Sequence, residues 1–393
     1  MEPYAIDMGG YLAWSRYLAN NGPAGIYSSY HIVYAPFYLY FLWLSGLIAK
    51  AFGLPFHLHI YLIKLWAVIF EAFGAWLIFR MAVRAGRRNA GMVAALCYLM
   101  NPGVFMNSSV WGQFDSIPAT MLLGVIFLLE SGKRNAGALL FLTAVLTKPQ
   151  SGLLVPIVLY LYFRDFRLDR KGAMRLASGI IAGIGLYLLI VLPFYEPTSL
   201  CGAKVPAFLD PFWWLFDLYL KSVQDYPYAT ANGFNFWTLA GGQIQKDTLP
   251  FLGLTYQAWG NILFLFSAVY VFWLLYRARG SGFAVIYGSY LMLFSAFMWI
   301  TKMHERYLLP AIIFIVLASV FDRMHIPAAI LTSLCVFSNQ LVIYIISFRK
   351  VYWIQRRDPT ALCIAAATLF TYILAMINGY RCLGKKSPES GKI

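Results

Sequence analysis

The sequence predicts an all-α protein, a polytopic transmembrane helical bundle. Hydrophobic residues make up 61% of the 393 residues and charged residues only 12%, whereas charged residues make up about a quarter of an ordinary soluble domain. The apolar residues occur in long runs separated by short basic or aromatic segments. Such runs are typical of membrane helices, because a membrane β-barrel instead alternates apolar and polar residues over about ten positions.

Apolar runs account for the expected membrane segments. Runs of about twenty residues are long enough to cross the hydrocarbon core, and they occur at 57–83, 89–106, 176–194, 258–276, 282–300, 326–348 and 360–380. Shorter runs at 116–131, 135–148, 151–163 and 307–321 predict short or re-entrant segments. We therefore expect one integral membrane domain over 1–393 with about 11 membrane segments.

Basic clusters assign the two faces of this domain, because cytoplasmic loops carry an excess of Lys and Arg. One threading puts all of these clusters on the cytoplasmic side: Arg80/Arg84/Arg87/Arg88, Lys133/Arg134, the run 164–175, and Arg277/Arg279. The same threading puts the polar motifs together on the external side. The basic segment 349–358 also comes out external and is an exception to the rule.

Two external segments are expected to lie outside the bundle. Residues 1–56 form a loop with interfacial helices, including 36–52, whose Trp and Tyr residues fit the headgroup level. Residues 195–257 are rich in aromatic side chains and predict an amphipathic, lid-like loop. Most of the basic residues behind the net charge of +15 lie at helix ends, where they set the orientation of the helices in the membrane. The charge therefore gives no reason to expect a nucleic-acid partner. The five cysteines show no disulfide framework or metal-ligand spacing.

Two polar stretches carry candidate site residues on the external side. Asp7 precedes a helix-like stretch and is either a helix cap or a base for a hydroxyl nucleophile. In "WGQFDS" at 111–116, Asp115 either caps the next helix or lines a pocket with Gln113. In the second case Trp111 supplies a face for stacking a sugar, and Gln113 and Asp115 bind its hydroxyl groups.

Charged residues within the apolar runs form a second group. Lys148, in the turn "KPQ", lies below the full membrane thickness and either snorkels to the interface or meets an anion or a water-filled cavity. Lys64 and Glu71 are seven residues apart on one helix face, where each orients or neutralises the other or its neighbours.

The stretch "TKMHERYLLP" at 301–310 is the most concentrated polar motif. Between two apolar runs it holds Lys302, His304, Glu305 and Arg306. Anchoring at the membrane interface does not need so many adjacent titratable side chains. Arg306 offers a planar fork of donors, His304 and Lys302 add positive charge, and Glu305 orients Arg306. We expect an anion site here, next to a carboxylate base, as a transfer reaction from a lipid-phosphate donor requires.

The motifs "WGQFDS", "KPQ", "NGFNFW" and "MHERYLLP", in this order, resemble the bacterial relatives of the PIG-V type mannosyltransferases, members of the GT-C superfamily of polyprenyl-phosphate-sugar glycosyltransferases. The segment from His304 to Arg306 is similar to the HEK motif of dolichyl-phosphate-glucose glucosyltransferases. Family members carry a transmembrane helix before the Asp of the first external loop, and no apolar run precedes Asp7.

The resemblance implies an inverting hexosyltransferase, with mannose favoured, that uses a polyprenyl-phosphate-linked sugar donor and no metal or other cofactor. It implies that Asp7 is the catalytic base and that His304 and Arg306 bind the donor phosphate, with Lys148 as a further contact. Lys302 is added to this phosphate-binding set because of its place in the motif at 301–310. Asp115 lines the sugar or acceptor pocket. The acceptor is a glycan, a glycolipid or a protein side chain, and the compact loops favour a bacterial plasma membrane with an outward-facing site.

Two other functions stay open from the sequence. A transporter or flippase for an anionic lipid or solute would also use a basic site, although transporters tend to place charges near the midplane between repeats, and no repeat is visible here. A non-catalytic scaffold descended from such an enzyme is the second alternative.

Overall fold

The structure is a computed structural model that describes residues 4–167, 169–197, 206 and 208–383, and in this part the chain is predominantly helical. The helices, in chain order, are α1 (Ala5–Asn21), α2 (Ile26–Ser29), α3 (Pro36–Ala51), α4 (Phe56–Arg84), α5 (Arg88–Leu99), α6 (Pro102–Phe105), α7 (Ser116–Glu130), α8 (Arg134–Thr147), α9 (Val155–Phe163), α10 (Arg170–Val191), α11 (Asp210–Gln224), α12 (Phe236–Leu239), α13 (Tyr256–Arg277), α14 (Gly282–Trp299), α15 (Leu309–Phe321), α16 (Ile326–Ser347) and α17 (Pro359–Leu383). A short antiparallel hairpin joins β1 (Pro250–Phe251) to β2 (Leu254–Thr255).

The predicted polytopic helical bundle is confirmed. Within the described residues, helices long and apolar enough to cross a membrane are Phe56–Arg84, Arg88–Trp111, Arg170–Phe194, Tyr256–Arg277, Gly282–Trp299, Arg323–Ser347 and Pro359–Leu383. The shorter apolar helices are Ser116–Glu130, Arg134–Thr147, Pro149–Phe163 and Leu309–Phe321. Each corresponds to one predicted run, with its ends displaced by a few residues. The chain is an integral, multi-pass membrane protein.

The helices α14 and α15 form the centre of the bundle. In α14, 89% of the apolar window is buried inside the protein, compared with 17% for α10 at the periphery. Because α10 has Ile181 and Leu189 at 71% exposure, its apolar surface is the kind that faces lipid. The connection between α14 and α15, which holds the motif at 301–308, therefore lies at one end of the central pair.

The N-terminal helices α1 and α3 pack closely against each other. Ser15 Oγ donates a hydrogen bond to the Leu42 carbonyl at 2.7 Å, and a Cβ on Gly46 would lie only 2.1 Å from the Ser15 carbonyl oxygen. Helix α3 also packs on α4 and α8. These contacts fix the direction of α1, whose first turn carries Asp7. The interfacial placement of α3 stays a prediction.

Part of the segment 195–257 is attached to the motif at 301–308. The backbone N–H of Ala231 donates to the Met303 carbonyl at 2.9 Å, and Trp237 Nε1 donates to the Trp299 carbonyl at 2.6 Å. Asn235 Nδ2 donates to the Phe297 carbonyl at 2.8 Å. The motif "NGFNFW" is thus hydrogen-bonded to the end of α14. The lid-like role of 195–257 stays a prediction, and 198–205 and 207 lie outside the described residues.

Candidate functional site

Four connections meet at one end of the central helices: the start of α1, the stretch from α6 to α7, the turn after α8 and the loop between α14 and α15. Met106–Trp111 form a π-helix that ends at Gly112 with φ of 94°, a left-handed conformation that glycine adopts without strain. Such π-helical insertions occur frequently at functional sites. This local geometry turns Gln113 and Asp115 back toward the bundle interior.

Asp7 is held by the side chains of "WGQFDS". Its Oδ2 accepts a hydrogen bond from Trp111 Nε1 at 2.8 Å and another from Gln113 Nε2 at 2.6 Å. The backbone also links these segments, because the N–H of Tyr4 donates to the Trp111 carbonyl at 3.1 Å. Both side-chain hydrogen bonds reach the same oxygen, so they fix the orientation of the carboxylate.

The structure gives Trp111 a different role from the sugar stacking predicted. Its side chain is only 1% exposed, its ring stacks on Tyr4 with 4.4 Å between centroids, and the Arg306 guanidinium lies 5.9 Å from the ring centre. The indole therefore presents its N–H to Asp7 and has no open face for a sugar. Gln113, also buried, bridges Asp7 to the Tyr11 hydroxyl, which donates to its Oε1 at 2.9 Å.

Asp115 is the centre of a buried charge cluster. Its carboxylate forms an ion pair with Lys148, lies 3.7 Å from Arg306 Nε and accepts a hydrogen bond from Asn107 Nδ2 at 3.1 Å. The helix-cap alternative is wrong, because Asp115 precedes α7 without a side-chain capping hydrogen bond. The snorkelling alternative for Lys148 is also wrong, since its side chain is 5% exposed and bound to Asp115.

The motif at 301–308 divides into two groups. Arg306 pairs with Glu305 and faces Asp115 and Trp111. Burial raises the pKa of Glu305, and the adjacent Arg306 guanidinium opposes that rise. Lys302 instead binds Asp247, with 2.7 Å between Nζ and Oδ2. Its partner thus lies in the segment 195–257, and among the described contacts none joins Lys302 to Asp115 or Arg306.

His304 differs from the cation expected. Burial, together with the positive charges of Arg306 and Lys148, lowers its pKa well below the ordinary 6.5. Its ring packs edge-on against Tyr226 at 4.6 Å and lies 5.1 Å from Tyr307. At neutral pH His304 is therefore an uncharged, aromatic-packed group and adds no positive charge to the cluster.

Lys64 and Glu71 support the site from α4. Lys64 Nζ donates to the carbonyls of Ser109 and Val110 at 2.8 and 3.1 Å, and Glu71 Oε1 accepts from Ser116 Oγ at 2.6 Å. They bind the end of the π-helix and the start of α7. Their structural role, as expected, is to orient neighbours, and it keeps the "WGQFDS" turn in place.

Sequence reasoning missed two polar residues at the centre of the cluster. Asn107, which donates to Asp115, also donates to Gln340 Oε1 at 3.2 Å, and both side chains are fully buried. The signal for Gln340 was available, since Asn339 and Gln340 are adjacent amides inside an apolar run. The signal for Asn107 was its place in the polar stretch that leads to "WGQFDS".

Several buried polar atoms around Asp115 have no hydrogen-bond partner among the described residues. They are Asn107 Oδ1, Gln150 Oε1, Ser151 Oγ and Arg306 Nε. A small pocket, lined in part by Asp115, Lys148, Gln150, Ser151 and Tyr307, lies beside them. Buried polar groups are normally satisfied by protein or by bound water, so this site has unused capacity for a polar ligand or for ordered water.

The bundle and its polar end define a polytopic membrane protein with a buried charge cluster at one end of its central helices. A family model described as GPI transamidase subunit PIG-U matches residues 14–224, more than half of the chain. The chain belongs to the PIG-U family. The motif resemblance pointed to the PIG-V type, whereas the family model that matches is that of PIG-U. The matched range includes Asp115 and Lys148 and excludes Asp7 and 301–310.

The structure of ArnT from Cupriavidus metallidurans bound to undecaprenyl phosphate resembles this one with a TM-score of 0.46 and 16% sequence identity. The alignment covers 96% of this chain and 73% of that chain. Comparison of the sequence with curated proteins gives no match.

Proposed function

We propose that this protein transfers a hexose, with mannose favoured, from a polyprenyl-phosphate donor to an acceptor hydroxyl on the external face, with inversion at the anomeric carbon. The observation that supports this most is that four charged side chains from different parts of the chain meet at one end of the bundle. Asp7, Asp115, Lys148 and Arg306 come from four separate segments, and Trp111 contacts both Asp7 and Arg306.

The chemistry requires a base on one side of the anomeric carbon and cations on the other. Asp7 accepts the proton of the acceptor hydroxyl while that oxygen forms the new bond to the anomeric carbon. The bond from this carbon to the phosphate oxygen breaks, and polyprenyl phosphate leaves with the electron pair. Arg306 and Lys148 stabilise the charge that develops on the leaving phosphate.

The donor phosphate must share these cations with protein carboxylates. Lys148 is bound to Asp115, and Arg306 is bound to Glu305, so the cluster is neutralised before a phosphate arrives. Arg306 Nε has no hydrogen-bond partner among the described residues, and its N–H is the group best able to donate to a phosphate oxygen without breaking an existing hydrogen bond. We expect Asp115 to keep the two cations apart and aligned, and to contact sugar hydroxyls.

The test is a transfer assay with purified protein and a panel of radiolabelled polyprenyl-phosphate hexoses. Wild type should consume at least one donor, and Asp7→Asn should lower the rate by about 10²–10⁴-fold, the usual contribution of a general base, while donor binding stays the same. Asp165→Asn, an exposed carboxylate outside the site, is the matched control. Wild-type turnover by Asp7→Asn would remove Asp7 as the base.

The family assignment favours a second candidate function. The matching family model is described as a GPI transamidase subunit, and a non-catalytic subunit would use the same polar site to bind a glycolipid within a membrane complex. In that case no donor in the panel is consumed, yet the lipid-linked sugar or a glycolipid binds with an affinity that depends on Arg306. The transfer and binding assays together separate the two functions.

A further inference from the structure

We infer that Asp322, His325 and Cys382 form a binding site for a divalent metal ion that accepts sulfur and nitrogen ligands, such as Zn²⁺. Asp322 and His325 lie in the connection from α15 to α16, and Cys382 lies in the last turn of α17. One ligand atom from each residue lies within 4.8 Å of the others. The site is at the end of α15 remote from 301–308, and is independent of the proposed transfer reaction.

The imidazole of His325 is the observation that points to a ligand. The side chain is fully buried, and neither Nδ1 nor Nε2 has a hydrogen-bond partner among the described residues. A buried neutral imidazole carries one donor and one acceptor, and both are normally satisfied. Its ring is held against Tyr287 at 4.3 Å and Phe283 at 5.5 Å, so the orientation of the nitrogens is fixed by packing.

The spacing of the other two groups suits a tetrahedral ion. Cys382 Sγ and Asp322 Oδ2 are 3.4 Å apart. With metal–ligand distances of about 2.0–2.3 Å, two ligands of a tetrahedral Zn²⁺ are about 3.3–3.8 Å apart. The other carboxylate oxygen of Asp322 accepts the backbone N–H of Met324 at 2.9 Å, which fixes the carboxylate in the way that outer-shell hydrogen bonds fix metal ligands.

A bound ion would neutralise the charge of this cluster and link α17 to the central bundle. A thiolate and a carboxylate, both partly exposed, supply two negative charges beside the buried imidazole of His325, and a divalent cation neutralises them. Three protein ligands leave one tetrahedral position for water. Because the ligands come from the α15–α16 connection and from α17, the ion would join the end of the last helix to the central bundle. The long sequence separation of Cys382 explains why no metal spacing is visible in the sequence.

The test is metal binding by the full chain purified without chelator. We expect about one zinc per chain by elemental analysis, and a thiolate-to-cobalt charge-transfer band after exchange with Co²⁺. Cys382→Ser and His325→Gln should weaken Zn²⁺ binding by more than the 10–100-fold typical for loss of an outer-shell partner. Cys363→Ser, an exposed cysteine on the same helix, is the matched control and should bind normally.

Two results would overturn the site. Wild type that binds Zn²⁺ no more tightly than Cys382→Ser, or that gives no thiolate–cobalt band, leaves the cluster as a packed histidine beside a cysteine–carboxylate hydrogen bond. If a variant fails to fold, the wild-type cobalt spectrum and the effect of chelator on the wild-type unfolding temperature still decide the question. We expect chelator to lower that temperature in wild type and in Cys363→Ser.

Discussion

Replacing Lys148 with Met tests whether the Asp115 cluster is held together by opposite charges. The two side chains are 5% and 2% exposed, and removing one partner of a buried ion pair costs about 3–5 kcal/mol because a buried charge is left uncompensated. Here Asp115 keeps Arg306 and Asn107 as neighbours. We therefore expect Lys148→Met to lower the free energy of unfolding by about 3 kcal/mol, at the low end of that range.

A double-mutant cycle with Asp115→Asn measures the coupling directly. In the Lys148→Met background the carboxylate no longer has its ammonium partner, so neutralising it should recover part of the lost stability, about 1–3 kcal/mol. The assay is reversible denaturant unfolding of the detergent-solubilised protein, followed by tryptophan fluorescence. If the two substitutions are additive to within about 0.5 kcal/mol, Asp115 and Lys148 are not energetically coupled and opposite charges do not hold the cluster together.

Three further predictions concern single residues. Burial lowers the pKa of His304, so below pH 6.5 the unfolded chain binds a proton that the folded chain does not. The free energy of unfolding should therefore fall with acidification by up to about 1.4 kcal/mol per pH unit. His304→Gln should reduce that slope when unfolding is measured as a function of pH. Gly46→Ala places a Cβ against the α1 backbone and should destabilise by about 1–3 kcal/mol in denaturant unfolding, whereas Gly183→Ala, in open space on a helix, should be neutral or stabilising. Trp111→Phe removes the N–H donated to Asp7 and should slow transfer about tenfold or more, since a hydrogen bond to a charged group contributes about 1.5–3 kcal/mol; unchanged turnover would show that Asp7 needs no such support.

The helices were predictable because hydrophobic run length is a local property. The runs at 57–83 and 282–300 became Phe56–Arg84 and Gly282–Trp299 almost unchanged. The sequence also predicted which connections share one end of the bundle, since basic clusters such as Arg80/Arg84 orient the helices. That was enough to bring Asp7, Asp115 and Arg306 into one hypothesis.

Side-chain partners could not be predicted in the same way, because they depend on tertiary distance and on burial. Lys302 is two positions from His304, yet it pairs with Asp247 from another segment. The sequence suggests that Trp111 stacks on a sugar, because it does not show that Tyr4 covers the indole ring in the folded protein. The sequence likewise suggests a cationic His304, because it does not show the burial that lowers the pKa of this side chain.

The proposed function requires that one polar site containing Asp115 and Arg306 binds a lipid-linked phosphate. The most direct measurement is the dissociation constant of a polyprenyl-phosphate sugar for wild type and for Arg306→Gln, with thermal unfolding to verify folding and Arg349→Gln as an exposed control. We expect Arg306→Gln to weaken binding about 10–150-fold, which corresponds to loss of a charge-assisted hydrogen bond of about 1.5–3 kcal/mol. Equal affinity of a folded Arg306→Gln variant and wild type, or no binding by wild type, would contradict lipid-phosphate binding at this site.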